Sequence, residues 1–189
     1  MKKVIGIVGS PRKGGNTEFL LNTALNSAKK EGVDVKLICL SDFNINSCVA
    51  CNKCKTTGEC SINDDMTVIL NEIKNADGLI VGSPVYFGTM TSQTKMFIDR
   101  SRPLRSLRSM KNMVCGAIST GGSRNGGQET TIEGIHNFFF IQQAIVVGDS
   151  YPTAHYGGIG EGVTSEDDVG ITTASNLGKR VAIVVNQLK

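Results

Sequence analysis

VIGIVGSPRKGGNTEFLLNTALNSAKK, residues 4–30, joins an apolar run, a glycine-rich loop and an amphipathic segment. The run VIGIV has the length and composition of a buried strand. From Thr17 to Lys30 the apolar residues recur at helical spacing, Asn16 or Thr17 can cap the helix, and Gly32 can end it. A strand, a short loop and a helix in this order are typical of a parallel sheet covered by helices.

The alternation of strands and helices continues along the rest of the chain. Further strands are predicted at residues 33–40, 78–82, 113–119 and 144–147. Helices are predicted from the Asp64–Asp65 pair onward, at 92–100, at 130–140 and at the C-terminal end. This pattern predicts an α/β fold, a flavodoxin-like doubly wound sheet of five parallel strands. We expect a single domain over residues 1–189, with a glycine-rich, irregular stretch at 149–167.

The bulk composition excludes several classes of protein. A formal net charge of +3 is too small to predict binding to nucleic acid or to an anionic membrane. The apolar run after Met1 is too short for a signal peptide, and no stretch approaches the ~20 apolar residues of a membrane span. We therefore predict a cytoplasmic protein. In that reducing compartment its six cysteines are expected to be metal ligands or free thiols.

Three loops follow the first, third and fourth predicted strands. In a doubly wound sheet, ligands bind in the crevice at the carboxyl ends of the strands, so these loops are the candidate binding site. Their sequences are GSPRKGGNT at 9–17, GSPVYFGTM at 82–90 and STGGSRNGGQ at 119–128.

The first of these loops is suited to an anion. It precedes a helix, where backbone N–H groups and the helix dipole favour negative charge. Ser10, Asn16 and Thr17 offer further donors, and Arg12 offers a cationic fork. We predict a phosphate here, although the loop matches neither the ATPase pattern GxxxxGK[ST] nor the dinucleotide pattern GxGxxG. A plain glycine-rich turn is the alternative.

The other two loops are suited to a planar group. Tyr86 and Phe87 follow the end of the third strand, where aromatic side chains can border a ring; core packing is the alternative role. Four glycines within 121–127 let the backbone approach a ligand and present N–H donors, unless this segment is only a flexible loop. All three loops point to one crevice.

A compact set of cysteines interrupts the pattern after the second strand. Cys48, Cys51, Cys54 and Cys60, with spacings x2, x2 and x5, lie in the cysteine loop, residues 47–61. One tight loop can present three thiolates to a cubane, and Gly58 permits the reversal before the fourth, which favours a 4Fe-4S cluster. Zinc and metal-free thiols are the alternatives. Cys39 and Cys115 lie in strands and are expected to be core thiols.

The three crevice segments resemble the FMN-binding segments of the NADPH-dependent FMN reductase branch of flavodoxin-like proteins. Within this branch, the cysteine insertion resembles the iron-sulfur flavoproteins of anaerobic microbes. The resemblance implies that FMN phosphate is bound by the first loop and that residues 84–88 and 119–122 flank the isoalloxazine ring. The implied cofactor-binding residues are Ser10, Arg12, Lys13, Asn16, Thr17, Pro84, Val85, Tyr86, Phe87, Gly88, Ser119, Thr120, Gly121 and Gly122. The resemblance also implies a homodimer or homotetramer, a ferredoxin-like electron donor and NAD(P)H as a further donor.

We therefore predict a redox flavoprotein that transfers electrons between a 4Fe-4S cluster and FMN. The protein positions and tunes the cofactors, so we assign no catalytic acid, base or nucleophile. One alternative is an FMN-dependent NAD(P)H oxidoreductase without a cluster, acting on quinones or flavins. Another is a thiol-based or zinc-based regulator that has kept only the fold.

Overall fold

The computed structural model describes residues 1–188 and places helices on both faces of one parallel sheet. The strands are β1 (Lys3–Val8), β2 (Asp34–Cys39), β3 (Gly78–Pro84), β4 (Val114–Gly121), β5 (Ile145–Val146) and β6 (Gly158–Glu161). The helices are α1 (Asn16–Lys30), α2 (Lys53–Thr57), α3 (Met66–Lys74), α4 (Ser92–Arg100), α5 (Arg102–Ser106), α6 (Gln128–Ile141) and α7 (Asp168–Gln187). A short 3₁₀ turn, Leu40–Asp42, follows β2.

The strand order β2-β1-β3-β4-β5, with every pairing parallel, confirms the predicted doubly wound α/β fold. The chain winds outward from β1 in one direction and then from β3 in the other. The reversal therefore lies between β1 and β3, where such sheets bind ligands. The cysteine loop follows β2 as predicted, and it contains the short helix α2.

The fifth position of the sheet differs from the prediction. The strand β5 has only two residues, and β6 pairs with the carboxyl half of β4, so that Ile118 lies opposite Gly158. The stretch predicted to be irregular thus contains a strand. The strand is not recognisable from the sequence because two of its four residues are glycines. Close packing requires both of them: a Cβ at Gly158 would lie 2.9 Å from a side-chain carbon of Ile118, and a Cβ at Gly160 would lie 2.6 Å from one of Leu20.

Two apolar cores cover the two faces of the sheet. One lies beneath α3, α4 and α6, and the other lies beneath α1 and α7. Alternate residues of β4 serve the two sides: Cys115 and Ala117 face the first core, and Val114 and Ile118 face the second. Within residues 1–188, none of the helices combines the length and hydropathy that crossing a membrane requires.

The packing of α1 against α7 depends on a glycine in the middle of α7. A Cβ at Gly178 would lie 1.9 Å from the carbonyl oxygen of Ala24 and 2.7 Å from its Cα. These are backbone atoms, so the two helices would have to move apart to admit a side chain.

We expect Gly178→Ala to lower the free energy of unfolding by about 1–3 kcal/mol, the usual cost of overpacking a core. Alanine is the better helix former, so this loss would oppose intrinsic propensity. Gly134→Ala in α6 is the matched control, because there the added Cβ meets only the terminal methyl of Met90. Urea denaturation should show the control to be as stable as the wild type or more stable; equal stability of Gly178→Ala would contradict the packing argument.

Candidate functional site

The three predicted loops meet at the carboxyl edge of the sheet and enclose a cavity of about 270 Å³. Most of the predicted cofactor-binding residues line it. These are Ser10, Arg12, Asn16, Thr17, Pro84, Val85, Tyr86, Thr120, Gly121 and Gly122, together with Gly15. Lys13, Phe87, Gly88 and Ser119 were predicted as well, but they lie outside this lining.

A hydrogen-bond centre at Thr91 joins the first two loops. Its hydroxyl donates to the carbonyl oxygen of Gly9 at 2.6 Å and accepts a bond from the backbone N–H of Thr94 at 3.1 Å, which makes it the N-cap of α4. Its own N–H donates to Ser83 Oγ at 3.0 Å. Thr91 is fully buried. The sequence prediction missed this residue, although a threonine directly before a helix is an N-cap signal.

The third loop is tied to the other two through Thr120. Its hydroxyl shares a 2.8 Å hydrogen bond with the Thr17 hydroxyl, and its carbonyl oxygen accepts one from the backbone N–H of Val85 at 2.8 Å. Both threonine side chains are buried. These bonds form the floor of the crevice and fix the three loops relative to one another.

The amino terminus of α1 leaves donors free to meet an anion. Gly15 is at the N-cap position and supplies no side-chain cap, and within residues 1–188 the backbone N–H groups of Asn16 and Thr17 have no acceptor. The backbone N–H of Arg12 bonds to Ser10 Oγ at 3.1 Å, which shapes the turn. The exposed Arg12 guanidinium has no ion-pair partner in the described part of the chain.

Two predicted phosphate ligands use their side chains elsewhere. The Lys13 ammonium pairs with Asp42, and this contact raises the pKa of Lys13. The Asn16 side chain donates to the carbonyl oxygen of Gly162 and accepts from the backbone N–H of Thr164 at 3.3 Å. Asn16 therefore fastens the loop after β6 to α1, and its backbone N–H remains available for an anion.

The second loop projects an aromatic turn beside the cavity. Tyr86 and Thr89 bond to each other through their backbones, at 2.7 and 3.3 Å, and enclose a two-residue turn. Both central residues have positive φ, 47° at Phe87 and 83° at Gly88, as such a tight turn requires. The Phe87 ring is fully exposed, which does not fit the alternative that it packs in the core.

Gln128, the first residue of α6, organises the third loop, and the sequence prediction gave it no role. Its side chain accepts a bond from the N–H of Gly126 at 2.8 Å and donates to the carbonyl oxygen of Ser123 at 2.8 Å. The side chain is buried and would collide with any Cβ at Gly121, 2.5 Å from its Nε2 atom. Gly121 is thus required for the loop to close on Gln128. No periodic pattern signals this role.

None of the residues of the cysteine loop lines the crevice cavity, and the chain on either side of the loop is bound to Arg100, the last residue of α4. Cys48 and Cys51 are exposed, and Cys54 and Cys60 are partly buried. Within residues 1–188, no three Cys, His, Asp or Glu side chains come close enough together to hold a metal ion. A hydrogen bond with Ser61, 3.0 Å from the sulfur, lowers the pKa of the Cys51 thiol. The structure thus places the four thiols in one loop without gathering them.

The other two cysteines lie in strands, as predicted, but differ in burial. Cys115 is fully buried in β4, and this burial raises the pKa of its thiol. Cys39, at the end of β2, is only partly buried, so it is less a core residue than predicted.

A buried ion pair anchors both ends of the cysteine loop. The Arg100 guanidinium donates two 2.8 Å hydrogen bonds to the Asp64 carboxylate, and the side chains are 1% and 3% exposed. Asp64 also accepts from the backbone N–H groups of Asn46 and Met66, at 2.8 and 3.2 Å. The pairing with Arg100 holds the pKa of Asp64 well below its usual range. Asp64, predicted only as part of the pair that begins a helix, thus also binds Arg100 and the chain before the cysteine loop.

Comparison with known proteins identifies the family of the chain. The model of the NADPH-dependent FMN reductase family matches residues 2–158. An iron-sulfur flavoprotein of Methanocaldococcus jannaschii is 55% identical over 191 residues, covering 99% of each chain. That of Methanosarcina thermophila is 42% identical, over 99% of this chain and 97% of its own. The crystal structure of a WrbA-like flavodoxin from Agrobacterium tumefaciens shares the fold, with a TM-score of 0.74, 18% identity and full coverage of both chains.

The chain belongs to the iron-sulfur flavoprotein group of the NADPH-dependent FMN reductase family. As a member of this family it is an FMN-dependent oxidoreductase or electron-transfer flavoprotein, which confirms the predicted class of activity.

The crevice fits a flavin phosphate. The free N–H groups at the start of α1 and the unpaired Arg12 can meet a phosphate, and a Cβ at Gly122 would meet no atom within 4 Å, so the third loop leaves room above the floor. The donors of the cysteine loop suit an iron-sulfur cluster, because all four thiols are free, two of them exposed and two partly buried.

We expect Arg12→Ala to weaken FMN binding by about 10–100-fold, because a hydrogen bond to a charged group contributes ~1.5–3 kcal/mol. Riboflavin lacks the phosphate, so its affinity should stay the same. Lys13→Ala is the matched control and should change FMN affinity far less, because Lys13 pairs with Asp42. Flavin fluorescence titration of the flavin-free proteins measures these affinities; an equal loss for riboflavin and FMN in Arg12→Ala would place the phosphate elsewhere.

Proposed function

We propose that this protein transfers electrons between a 4Fe-4S cluster held by Cys48, Cys51, Cys54 and Cys60 and FMN held in the crevice. The observation that carries this proposal is the position of α4. Its first turn is bound to the crevice through Thr91, and its last residue, Arg100, is bound to the base of the cysteine loop. One rigid helix thus connects the two candidate cofactor sites.

The nine residues of α4, at 1.5 Å per residue, span about 13.5 Å. Ser47, at the start of the cysteine loop, also donates to the sulfur of Met96 in the middle of this helix, at 3.7 Å. The same helix therefore contacts the crevice loops at its start and the cysteine loop and its base at its middle and end.

The protein residues bind and orient, and the cofactors supply the electron chemistry. When bound, FMN exchanges one or two electrons and an iron-sulfur cluster exchanges one. The N–H groups of α1 and the Arg12 guanidinium hold the phosphate. Residues 84–86 and 120–122 form the two walls between which the ring is placed. No side chain of the crevice is assigned as an acid or a base.

The exposed lysines of the cysteine loop favour an acidic electron donor, in keeping with a ferredoxin-like partner. Lys53 and Lys55 flank Cys54, and both are exposed. Opposite charge accelerates the encounter of redox partners and gives it a strong dependence on salt. A homodimer or homotetramer also belongs to this proposal.

The proposal is tested by measuring iron, acid-labile sulfide and FMN in protein purified without oxygen. We expect about four irons per flavin, because a single cubane contains four. Cys51→Ala and Cys54→Ala should lose iron and the brown absorption and keep FMN, because the crevice is a separate part of the fold. Cys39→Ala, outside the cysteine loop, is the control and should keep both. Full FMN with no iron in the wild type would refute the cluster.

A second candidate function is the oxidation of NAD(P)H by FMN alone. The family match favours it, since the description of that family names NADPH as the reductant. The cluster-free Cys51→Ala protein distinguishes the two functions. Rapid anaerobic bleaching of its flavin by NADPH, at the rate of the wild type, would support direct hydride transfer. Bleaching only through an added ferredoxin, and only when the four cysteines are intact, would support the cluster route.

A further inference from the structure

We propose that Arg100 is a positioning residue that closes the cysteine loop and, together with Asp64, sets a balanced pair of charges at its base. This inference deepens the proposed function and rests on it wherever the cluster is concerned. Arg100 touches neither the crevice cavity nor any atom of the proposed flavin site.

The first step of the argument is the position of Arg100 between the two ends of the loop. Before the cysteine loop, it donates to the carbonyl oxygen of Asn46. After the loop, it binds both carboxylate oxygens of Asp64. Asp64 in turn accepts the N–H of Asn46 at 2.8 Å. One guanidinium therefore holds together the chain entering and the chain leaving the cysteine loop.

Neighbouring contacts reinforce this closure. The backbone N–H of Asn44 donates to the Asp65 carboxylate at 2.7 Å, and the backbone N–H of Asp65 donates to the Asn44 carbonyl oxygen at 3.2 Å. Within the loop, Gly58 packs so closely on Leu107 that a Cβ would lie 2.7 Å from a methyl of that leucine. The loop is thus seated on the end of α5 as well as tied at its base.

The second step is the unused hydrogen-bonding capacity of Arg100. Its Nε–H is buried and has no acceptor within residues 1–188. Such a donor is costly unless a partner arrives. Arg100 thus keeps one donor for a further acceptor at the base of the cysteine loop.

The third step is the charge balance. Arg100 and Asp64 form a neutral, buried pair at the base of the cysteine loop. Net charge and hydrogen bonds near the sulfurs set the reduction potential of an iron-sulfur cluster. Removing either member of the pair should therefore shift that potential, and in opposite directions.

The decisive variants are Arg100→Gln and Asp64→Asn. The first leaves a buried carboxylate and should lower the midpoint potential of the cluster, followed by EPR in an anaerobic titration. The second leaves an uncompensated guanidinium and should raise it. If the pair had a purely structural role, both midpoint potentials would shift in the same direction, or neither would shift. Each of these two results would overturn the proposal. Arg102→Gln is the control, because Arg102 is adjacent in sequence but exposed.

Loop closure is measured independently of iron. In the metal-free protein, we expect amide hydrogen exchange at residues 47–61 to be at least about tenfold faster in Arg100→Gln than in wild type. Exchange in the crevice loops and FMN content should stay unchanged. Unchanged exchange at 47–61 would overturn the proposal. If the wild type holds no iron, this measurement decides by itself, and faster exchange then supports the closure while the cluster function fails.

Arg100→Lys keeps the positive charge but loses the bidentate hydrogen bonding to Asp64. This variant provides the test if Arg100→Gln does not fold. It should release iron to a chelator about 10–100-fold faster than wild type, the usual effect of losing a group that orients a metal ligand. A release rate equal to that of Arg102→Gln would count against Arg100 as a positioning residue.

Discussion

The buried hydrogen bond from the Thr91 hydroxyl to the carbonyl oxygen of Gly9, 2.6 Å long, joins the first two crevice loops and begins α4. Gly9 is held just as closely, since a Cβ there would lie 1.9 Å from the Thr94 hydroxyl oxygen. The position of α4 therefore follows from the same contact that shapes the crevice. Because the base of the cysteine loop is bound to the other end of α4, the position of that loop also depends on the Thr91–Gly9 hydrogen bond.

The opposite end of α4 is fixed by electrostatics. A buried ion pair stabilises a fold only when its remaining hydrogen-bonding groups are satisfied. Asp64 meets this condition with two backbone N–H groups, and Arg100 meets it incompletely, since its Nε–H is free. Because the pKa of Asp64 is depressed in the folded protein, this pair stabilises the fold above the ordinary pKa of an aspartate. That contribution is lost as the pH falls through the folded-state value.

Much of the fold and crevice could be predicted from the sequence because their signals are local. Apolar runs and helical periodicity revealed the strands and helices, and the loops after β1, β3 and β4 converge in any sheet of this order. The fifth position of the sheet was predicted only in part. The strand β6, which pairs with the carboxyl half of β4, is glycine-rich and shows no alternation of apolar and polar side chains. Lys13 was assigned to the phosphate because its residue type suits an anion, while its pairing with Asp42 depends on the turn after β2.

Residue type and spacing alone indicate the chemistry that this protein can offer: four thiols in one loop and a glycine-rich anion loop before a helix. Each of these features lies within a short stretch of chain, and the alternation of strands and helices predicts the sheet that holds them. Which side chains hold the sites in place depends instead on how the whole chain packs. Thr91 and Gly9 are 82 residues apart, and Arg100 and Asp64 are 36 apart. Contacts between such distant residues arise from packing across the sheet, and no local pattern records them.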